Sequence, residues 1–393
     1  MAASGRLNKR LAAERERREK AGLWREVPIR NEPLGPRELC SNDYLRLSQH
    51  PRVAEAAATA ARDWGASASA SPLLGGHTRL HQQLLERLAS WQGYAHGMLW
   101  TSGYAANQAV LGHLPAKGDL VLADRLIHAS MISGLLSSGA RLRRYHHLDL
   151  AHLEAYLQEN RNREGACFVV TETVFSMDGD YPDLAALAAL RERYGFVWVV
   201  DEAHATGWYG HENAGLMTHT GLAGQADVLV GTLGKGLGAG GAYALFRDPS
   251  LRDYLVNVAG EFIYSTFLSP AVVGAALAAV ELATEMAEES ARLRQISNQW
   301  RSALQHAGLK VPAGDSPVLP LILKEEATTL RTREALASRG WHVAAVRPPT
   351  VPAGTARLRL SLHRGLNEDH LAEFCSNLLE ALSERENAAI GSA

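Results

Sequence analysis

Short apolar runs separated by amphipathic stretches dominate residues 50–285. The clearest runs are rich in β-branched residues and bounded by polar ones, at 166–171, 196–201 and 226–231. Continuous apolar runs of this kind are typical of strands buried on both faces, and the helical stretches between them favour a mostly parallel sheet. The pattern therefore predicts an α/β domain over 50–285.

The two ends of the chain have different patterns. The first 30 residues form a charged helical arm, rich in alanine and arginine, which prolines then interrupt. An alanine-rich helical pattern over 271–305 leads into the C-terminal part, where alternating strand signals are mixed with helices. We expect a smaller α+β domain there, so the predicted units are 1–49, 50–285 and 286–393.

Composition excludes several classes of function. A net charge of -2 gives no electrostatic reason to expect nucleic acid or a membrane surface as a partner. No apolar run reaches about 18 residues, so no transmembrane helix is expected, and the N-terminus lacks a signal-peptide pattern. Cys40, Cys167 and Cys375 are too far apart for a zinc motif or a disulfide framework. We therefore expect a cytoplasmic protein with no metal site.

Polar residues follow three successive predicted strands. Ser176 lies after the first, Asp201 and His204 follow the second, and Lys235 between two glycines follows the third. Because ligands of open α/β sheets bind at the carboxyl ends of the strands, we expect these side chains to converge. Lysine is rare in this chain, and no other lysine occurs between 118 and 309.

This set of side chains favours pyridoxal 5′-phosphate (PLP) chemistry. A lysine flanked by glycines can form an imine with an aldehyde, and a buried Asp201 can hold a protonated pyridine nitrogen. The segment 101–108 predicts a turn that opens a helix at Gly103, where backbone N–H groups can bind phosphate. Thr232 can add a hydroxyl, and His128 is a candidate to cover the pyridine ring.

Three other motif interpretations fail on spacing. Asp201-Glu-Ala-His204 spells a helicase signature, but the P-loop that it requires is absent, since Leu229 and Gly236 occupy the positions that need Gly and Ser/Thr around Lys235. Residues 236–241 match the G-x-G-x-x-G motif of dinucleotide-binding proteins, but a strand pattern follows them where that motif requires a helix. The G-x-S-x-G motif of serine hydrolases is missing from the sequence.

The motifs resemble those of the α-oxoamine synthases, a family of fold-type-I PLP enzymes. Two further segments, 263–266 and the longer 346–360, are similar to the branch that condenses L-alanine with a pimeloyl thioester. The family markers lie at 41–45, 101–108, 124–130, 174–180, 201–207 and 231–236.

The resemblance implies a large domain with a mostly parallel seven-stranded sheet and a smaller α+β C-terminal domain. It also implies a homodimer with shared active sites, and an acyl carrier that is either coenzyme A or an acyl-carrier protein. Three alternatives stay open: another α-oxoamine synthase such as glycine C-acetyltransferase, a fold-type-I lyase or aldolase without an acyl donor, and a non-catalytic binding protein.

The resemblance also implies roles for single residues. Lys235 would form the imine and act as the base, Asp201 would pair with the pyridine nitrogen, and His128 would stack on the ring and line the substrate site. The ring hydroxyl and the phosphate would be bound by the remaining cofactor residues of this subunit, Ser176, His204, Gly103, Tyr104 and Thr232. Thr266 and Asn42 would come from the partner subunit.

Substrate contacts are expected from Arg25, Thr350 and Arg357. Arg357 would hold the carboxylate of the amino acid, although Arg347 and Arg359 lie close enough in the sequence to be confused with it. The turn over 65–76 has fewer glycines than is usual in the family, so its backbone is expected to fold differently near the acyl substrate.

Overall fold

The structure is a computed structural model that describes residues 3–390. Its strands are β1 His96–Trp100, β2 Leu120–Asp124, β3 Arg141–Tyr145, β4 Cys167–Glu172, β5 Val197–Asp201, β6 Val228–Thr232, β7 Ala242–Phe246, β8 Val318–Lys324, β9 Ala344–Val346 and β10 Ala356–Ser361. Its helices are α1 Ala3–Lys20, α2 Pro51–Trp64, α3 Arg79–Gln92, α4 Gly103–His113, α5 Ala129–Ser138, α6 Leu150–Glu159, α7 Leu184–Tyr194, α8 Leu216–His219, α9 Pro249–Val258, α10 Gly260–Ile263, α11 Pro270–Glu285, α12 Glu289–His306, α13 Glu326–Ser338 and α14 Glu368–Ile390.

The first seven strands form one sheet in the order β1-β7-β6-β5-β4-β2-β3. The strands β3, β2, β4, β5 and β6 run parallel to one another. The strand β7 is antiparallel to both of its neighbours, β6 and β1. This arrangement confirms the predicted α/β fold with a mostly parallel seven-stranded sheet.

The central strands begin one or two residues later than their apolar runs. β6 is buried along its whole length, and β4 and β5 are buried except at their first residues. Helices flank the sheet, so these strands are covered on both faces and need no polar alternation. Their carboxyl ends place Glu172, Asp201 and Thr232 along one edge of the sheet.

Two helices start directly beside that edge. The hydroxyl of Ser102 accepts a hydrogen bond from the N–H of Ala105 and caps α4. His128 caps α5 in the same way, with Nδ1 accepting from the N–H of Ser130. Both helix N-termini therefore point their free N–H groups towards the region where the strands end.

The second sheet has the order β8-β10-β9 and is antiparallel throughout. The expectation of one long helical stretch over 271–305 is wrong, because two helices, α11 and α12, meet there at an angle of 81°. α11 ends at Glu285, where Met286 leaves the helical conformation with φ -92° and ψ 31°. The break turns the chain from the large sheet towards the small one.

The N-terminal arm is helical only as far as Lys20, and Gly22 follows with φ +63°. Further along, Glu38 forms an isolated parallel bridge with His342. The two sheets fall within 50–285 and 286–393, but the division into separate domains stays a prediction. Residues 1–2 of the first predicted unit and residues 391–393 of the last lie outside the described residues.

Between residues 3 and 390, no single helix is both long and apolar enough to cross a membrane. The pair α11 and α12 meets the criterion of length and composition only when the two bent helices are taken together.

Candidate active site

Lys235 lies just beyond the end of β6 and contacts a histidine from the next strand. Its Nζ atom is 2.9 Å from Nε2 of His204. Burial, followed by the charge of Lys235, lowers the pKa of His204 well below its usual value, so the imidazole is neutral. A neutral imidazole can accept a hydrogen bond from the lysine without adding a second positive charge.

The amine of Lys235 is less basic than an ordinary lysine. Burial lowers its pKa and is the largest influence, while the nearby carboxylate of Asp201 raises it, and the resulting pKa is about 8. An amine with this pKa exchanges its proton readily near neutral pH. Lys235 is therefore suited both to attack an aldehyde and to move a proton.

Asp201 is buried and held by two hydrogen bonds. Its Oδ2 accepts from Nδ2 of Asn107 at 2.7 Å, and its Oδ1 accepts from the N–H of Ala203 at 2.8 Å. Asn107 also donates to Oγ of Ser130, which lies 2.8 Å from Nδ1 of His128. One continuous chain of hydrogen bonds thus fixes both the carboxylate of Asp201 and the ring of His128.

A second carboxyl group lies beside Asp201. Glu172 is the register partner of Asp201 on the neighbouring strand, so the two side chains share one face of the sheet. Burial, and then the charge of Asp201, raises the pKa of Glu172 well above its usual value. Glu172 therefore keeps its proton near neutral pH.

The start of α4 and the end of β6 form a small polar cleft. A Cβ atom at Gly103 would lie 3.9 Å from Cβ of Thr232, with no closer neighbour. The N–H groups of Gly103 and Tyr104 belong to the first turn of α4, where no acceptor within the helix is available. This cleft fits an anion such as a phosphate group.

Two arginines of β10 have different partners. Arg357 donates to Oδ1 of Asp178 at 2.6 Å, and this ion pair is buried on the arginine side. Arg359 is also buried, but it donates only to neutral groups among the described residues, the carbonyl of Ser176 and the side chains of Asn42 and Ser361. Its charge has no carboxylate partner there. Arg357 is already paired with Asp178, and its contact with the amino-acid carboxylate stays a prediction.

Asn42 and Tyr44 connect Arg359 to His204. Nη1 of Arg359 donates to Oδ1 of Asn42 at 3.2 Å, and the hydroxyl of Tyr44 donates to the same oxygen at 3.2 Å. The hydroxyl oxygen of Tyr44 also lies 2.6 Å from Nδ1 of His204. Asn42 thus belongs to the network of its own chain, whereas the expectation had drawn it from the partner subunit.

An ion-pair cluster holds the loop that carries Ser176. His147 contacts Oδ1 of Asp124 at 2.9 Å and Oδ2 of Asp180 at 3.0 Å. Burial alone would lower the pKa of His147, but the hydrogen bonds to both carboxylates outweigh it and raise the pKa to about 9. The charged imidazole therefore ties the end of β2 to the loop over 175–180 at neutral pH.

The other predicted substrate residues lie at the surface. Nη2 of Arg25 donates to Oγ1 of Thr350 at 3.1 Å, which brings together two residues 325 positions apart. Nη1 of Arg347 donates to the carbonyl of Gly22 nearby. Thr266 is exposed after α10. The turn over 65–76 is packed beside it, where the N–H of Phe267 donates to the carbonyl of Ala70 at 3.0 Å.

Within the described range, one group of three side chains lies close enough together to bind a metal ion. Side-chain ligand atoms of His146, Asp149 and His152 lie within 4.8 Å of one another at the start of α6. This group includes none of the residues around Lys235, so it is separate from the candidate active site.

The arrangement around Lys235 fits PLP. The cleft between Gly103 and Thr232 offers N–H groups for the phosphate, and Asp201 offers a fixed carboxylate for a protonated ring nitrogen. His128 is exposed on the side that its hydrogen bond to Ser130 leaves free. No feature of these residues conflicts with the group.

Comparison with known proteins settles the family. The family model for class I and II aminotransferases matches residues 37–378. The chain belongs to the class I and II aminotransferase family.

Relatives of this aminotransferase-family chain narrow the assignment. A protein of Trichlorobacter lovleyi named 8-amino-7-oxononanoate synthase is 44% identical over 338 residues, which cover 85% of each chain. A crystal structure of 8-amino-7-oxononanoate synthase from Francisella tularensis has a TM-score of 0.76 and 28% identity, covering 90% of this chain and 98% of that one. A serine palmitoyltransferase variant from S. paucimobilis with bound PLP has a TM-score of 0.88 and 26% identity, covering 98% of both. The predicted resemblance to the α-oxoamine synthases is confirmed.

Within this aminotransferase-family fold, most of the predicted cofactor residues lie together. The residues that surround the Lys235 amine or the adjoining cleft are Asp201, His204, His128, Thr232, Gly103 and Tyr104, together with Ser176 at the site of Arg359. Arg25 and Thr350 meet at the surface, and Thr266 makes no hydrogen bond to this cluster in the part of the chain that the structure describes. Their roles stay predictions.

Several residues of the site were missed from the sequence. Asn107, Ser130 and Glu172 lie inside or beside the recognised motifs, so their position near a strand end or helix start was the available signal. Tyr44 carries no such signal, because its partner His204 is 160 positions away.

Proposed function

We propose that this chain catalyses the decarboxylative condensation of L-alanine with a pimeloyl thioester. The products are 8-amino-7-oxononanoate, CO₂ and the free thiol, a step of biotin biosynthesis. The observation that carries the proposal is the contact between Lys235 and the neutral His204 beside the fixed carboxylate of Asp201. The relatives named 8-amino-7-oxononanoate synthase, at about 40% identity, support the choice of substrates.

The cofactor is PLP, which when bound acts as an electron sink for the electron pair left at the substrate Cα. Lys235 would hold its aldehyde carbon, and Asp201 would keep a proton on its ring nitrogen. The N–H groups of Gly103 and Tyr104 and the hydroxyl of Thr232 would bind its phosphate. His128, whose imidazole is fixed by Ser130, would lie against its ring.

Lys235 is the proton-transferring base. When its amine is free and neutral, it can take the proton from Cα of alanine, and a pKa of about 8 keeps a useful fraction of it neutral near physiological pH. His204 accepts a hydrogen bond from the same Nζ atom and holds the amine in place. After CO₂ and the thiol have left, Lys235 can return a proton to the same carbon.

Arg359 binds the carboxylate of alanine in this proposal. A buried guanidinium without a carboxylate partner gains most from an anionic substrate, whereas Arg357 is already neutralised by Asp178. Arg359 also lies on the chain of hydrogen bonds that ends at Lys235. Arg25 and Thr350 meet at the surface and are proposed contacts of the acyl substrate.

We propose a homodimer as the functional unit, in which Thr266 reaches the partner's active site. Thr266 is exposed, and the neighbouring Tyr264 is 85% exposed, so both side chains are accessible to a partner subunit. The three cysteines are unpaired, which supports a reducing, cytoplasmic compartment. The acyl carrier, coenzyme A or an acyl-carrier protein, remains part of the proposal to be tested.

A thiol-release assay tests the function directly. The purified chain with PLP is mixed with pimeloyl-CoA or acetyl-CoA, each with L-alanine or glycine, and free thiol and the amino ketone are measured. The proposal expects turnover only with the pimeloyl donor and alanine. Preference for acetyl-CoA and glycine would instead assign glycine C-acetyltransferase activity, and turnover without thiol release would assign a lyase.

A further inference from the structure

Tyr44 lies between His204, which contacts Lys235, and Asn42, which contacts Arg359. It is completely buried, and its single hydroxyl contacts both Nδ1 of His204, at 2.6 Å, and Oδ1 of Asn42, at 3.2 Å. A hydroxyl has one proton, so it can donate to only one of these two acceptors at a time. The acceptor to which Tyr44 donates decides whether Nε2 of His204 carries a proton.

The two choices give two patterns of hydrogen bonds. If Tyr44 donates to Asn42, its oxygen accepts a hydrogen bond from Nδ1–H of His204, and Nε2 is left as an acceptor for the ammonium of Lys235. If Tyr44 donates to His204, Nε2 carries the proton and faces Nζ of Lys235 as a donor. The second pattern is compatible only with a neutral amine, because an ammonium group cannot accept a hydrogen bond.

Asn42 receives more donors than its oxygen can satisfy well. Besides Tyr44, Nη1 of Arg359 donates to Oδ1 at 3.2 Å and Oγ of Ser361 donates at 3.1 Å. A carbonyl oxygen has two lone pairs, so three donors compete for it. A change at Arg359, such as the binding of a carboxylate, therefore alters how strongly Asn42 holds the proton of Tyr44.

We propose that Tyr44 is a positioning residue that sets which ring nitrogen of His204 carries the proton, and thereby couples Arg359 to the amine of Lys235. The proposal rests on the proposed function for the identity of the groups at the two ends of this chain. The charged or titratable groups that act on His204 are Lys235, Arg359 and His128, besides Tyr44 itself.

The first test reads the imidazole directly. Nitrogen NMR of the full chain with labelled histidine distinguishes the two protonated forms, and the signals of His204 are those that disappear in His204→Asn. We expect the form protonated at Nδ1 in the wild type and a shift to the Nε2 form in Tyr44→Phe, because a buried Nδ1–H would lose its acceptor. Tyr94→Phe is the matched control, since it removes another buried hydroxyl, which donates to the carbonyl of Ala226.

A second variant covers the case in which Tyr44→Phe does not fold. Asn42→Ala leaves Tyr44 in place but removes the acceptor that competes for its proton. Tyr44 then donates to His204, so the same shift to the Nε2 form is expected at a half-buried position. Retention of the Nδ1 form in both variants, or in the one that folds, would overturn the proposal.

The second readout uses the holoenzyme and tests the coupling to Lys235. The pH midpoint of the visible absorbance of bound PLP is expected to move by at least about 0.5 pH unit, or roughly threefold in proton affinity, in Tyr44→Phe and Asn42→Ala. It should not move in Tyr94→Phe. A shifted imidazole with an unchanged midpoint would refute the coupling. A wild type without PLP absorbance would contradict the proposed function instead, while the nitrogen spectra would still decide the role of Tyr44.

Discussion

Nζ of Lys235 lies 2.9 Å from Nε2 of His204, an imidazole that its burial keeps neutral. Within residues 3–390, the lysine therefore has a hydrogen-bond acceptor but no salt-bridge partner. This relationship, more than any single motif, gives the site its chemistry, because it holds a weakly basic amine at the end of β6.

The reactivity of Lys235 should depend on pH around its lowered pKa. Only the neutral amine attacks an aldehyde, so the rate of adduct formation with PLP should rise with pH and level off above about 8. Rapid mixing of the cofactor-free chain with PLP between about pH 6 and about pH 10, followed by absorbance, measures this rate. A rate that keeps rising towards about pH 10.4, as for an exposed lysine, would contradict it.

Lys235 should carry the covalent adduct. Borohydride reduction of the PLP-loaded chain is expected to label the wild type and Lys117→Ala equally, because Lys117 is an exposed lysine outside the site motifs. Lys235→Ala should show no label at the peptide that contains position 235 and lose thiol release with it. Mass spectrometry of the digested protein locates the label. Labelling at another lysine with activity retained in Lys235→Ala would be the opposing outcome.

Replacement of Arg359 should weaken the binding of alanine far more than replacement of Arg357. We expect Arg359→Lys to weaken it roughly tenfold or more, since hydrogen bonds between charged groups contribute about 1.5–3 kcal/mol and lysine cannot bind a carboxylate in two places. Titration of the PLP absorbance with alanine gives the dissociation constant. Arg357→Lys is the matched control on the same strand, because its charge already faces Asp178. A larger effect at Arg357 would restore the original assignment.

His147 should stabilise the fold in a manner that depends on pH. Its folded pKa of about 9 lies above its usual value of 6.5, so its contribution is fully present below pH 6.5 and is lost as the pH rises through about 9. His147→Gln should therefore lower the free energy of unfolding by roughly 3 kcal/mol near pH 6 and by much less above about pH 9.5.

Urea denaturation at several pH values measures this contribution. His146→Gln serves as the control, because its side chain is 64% exposed and should change the stability little at any pH. An equal loss at pH 6 and pH 10 in His147→Gln would show that the contacts of the ring, and not its charge, stabilise the loop.

Much of the site could be predicted because it depends on order along the chain. Parallel strands end at one edge of their sheet, so residues directly after successive apolar runs must meet. Asp201, His204 and Lys235 follow that rule, since β5 ends where its apolar run ends and β6 ends one residue later than its run. The same reasoning placed Gly103 at a helix start, because a serine cap followed by an apolar stretch marks an N-terminus.

The choice between Arg357 and Arg359 needed the tertiary structure. The two residues are separated by two positions on β10, so they point to the same face of the strand and have the same local pattern. Only the loop that returns from β4 distinguishes them, because it places Asp178 beside Arg357 and a neutral carbonyl beside Arg359.

By itself, then, the sequence determined the α/β fold and the lysine, aspartate and histidine at the ends of its strands. It did so because local runs of apolar residues show which segments are buried strands and in which order those strands follow along the chain. The tertiary structure alone decided how those residues are connected. Asn42 lies 317 positions from Arg359, and Tyr44 lies 160 positions from His204. No local pattern encodes such distant pairs, since they form only when the N-terminal loop packs between the two sheets.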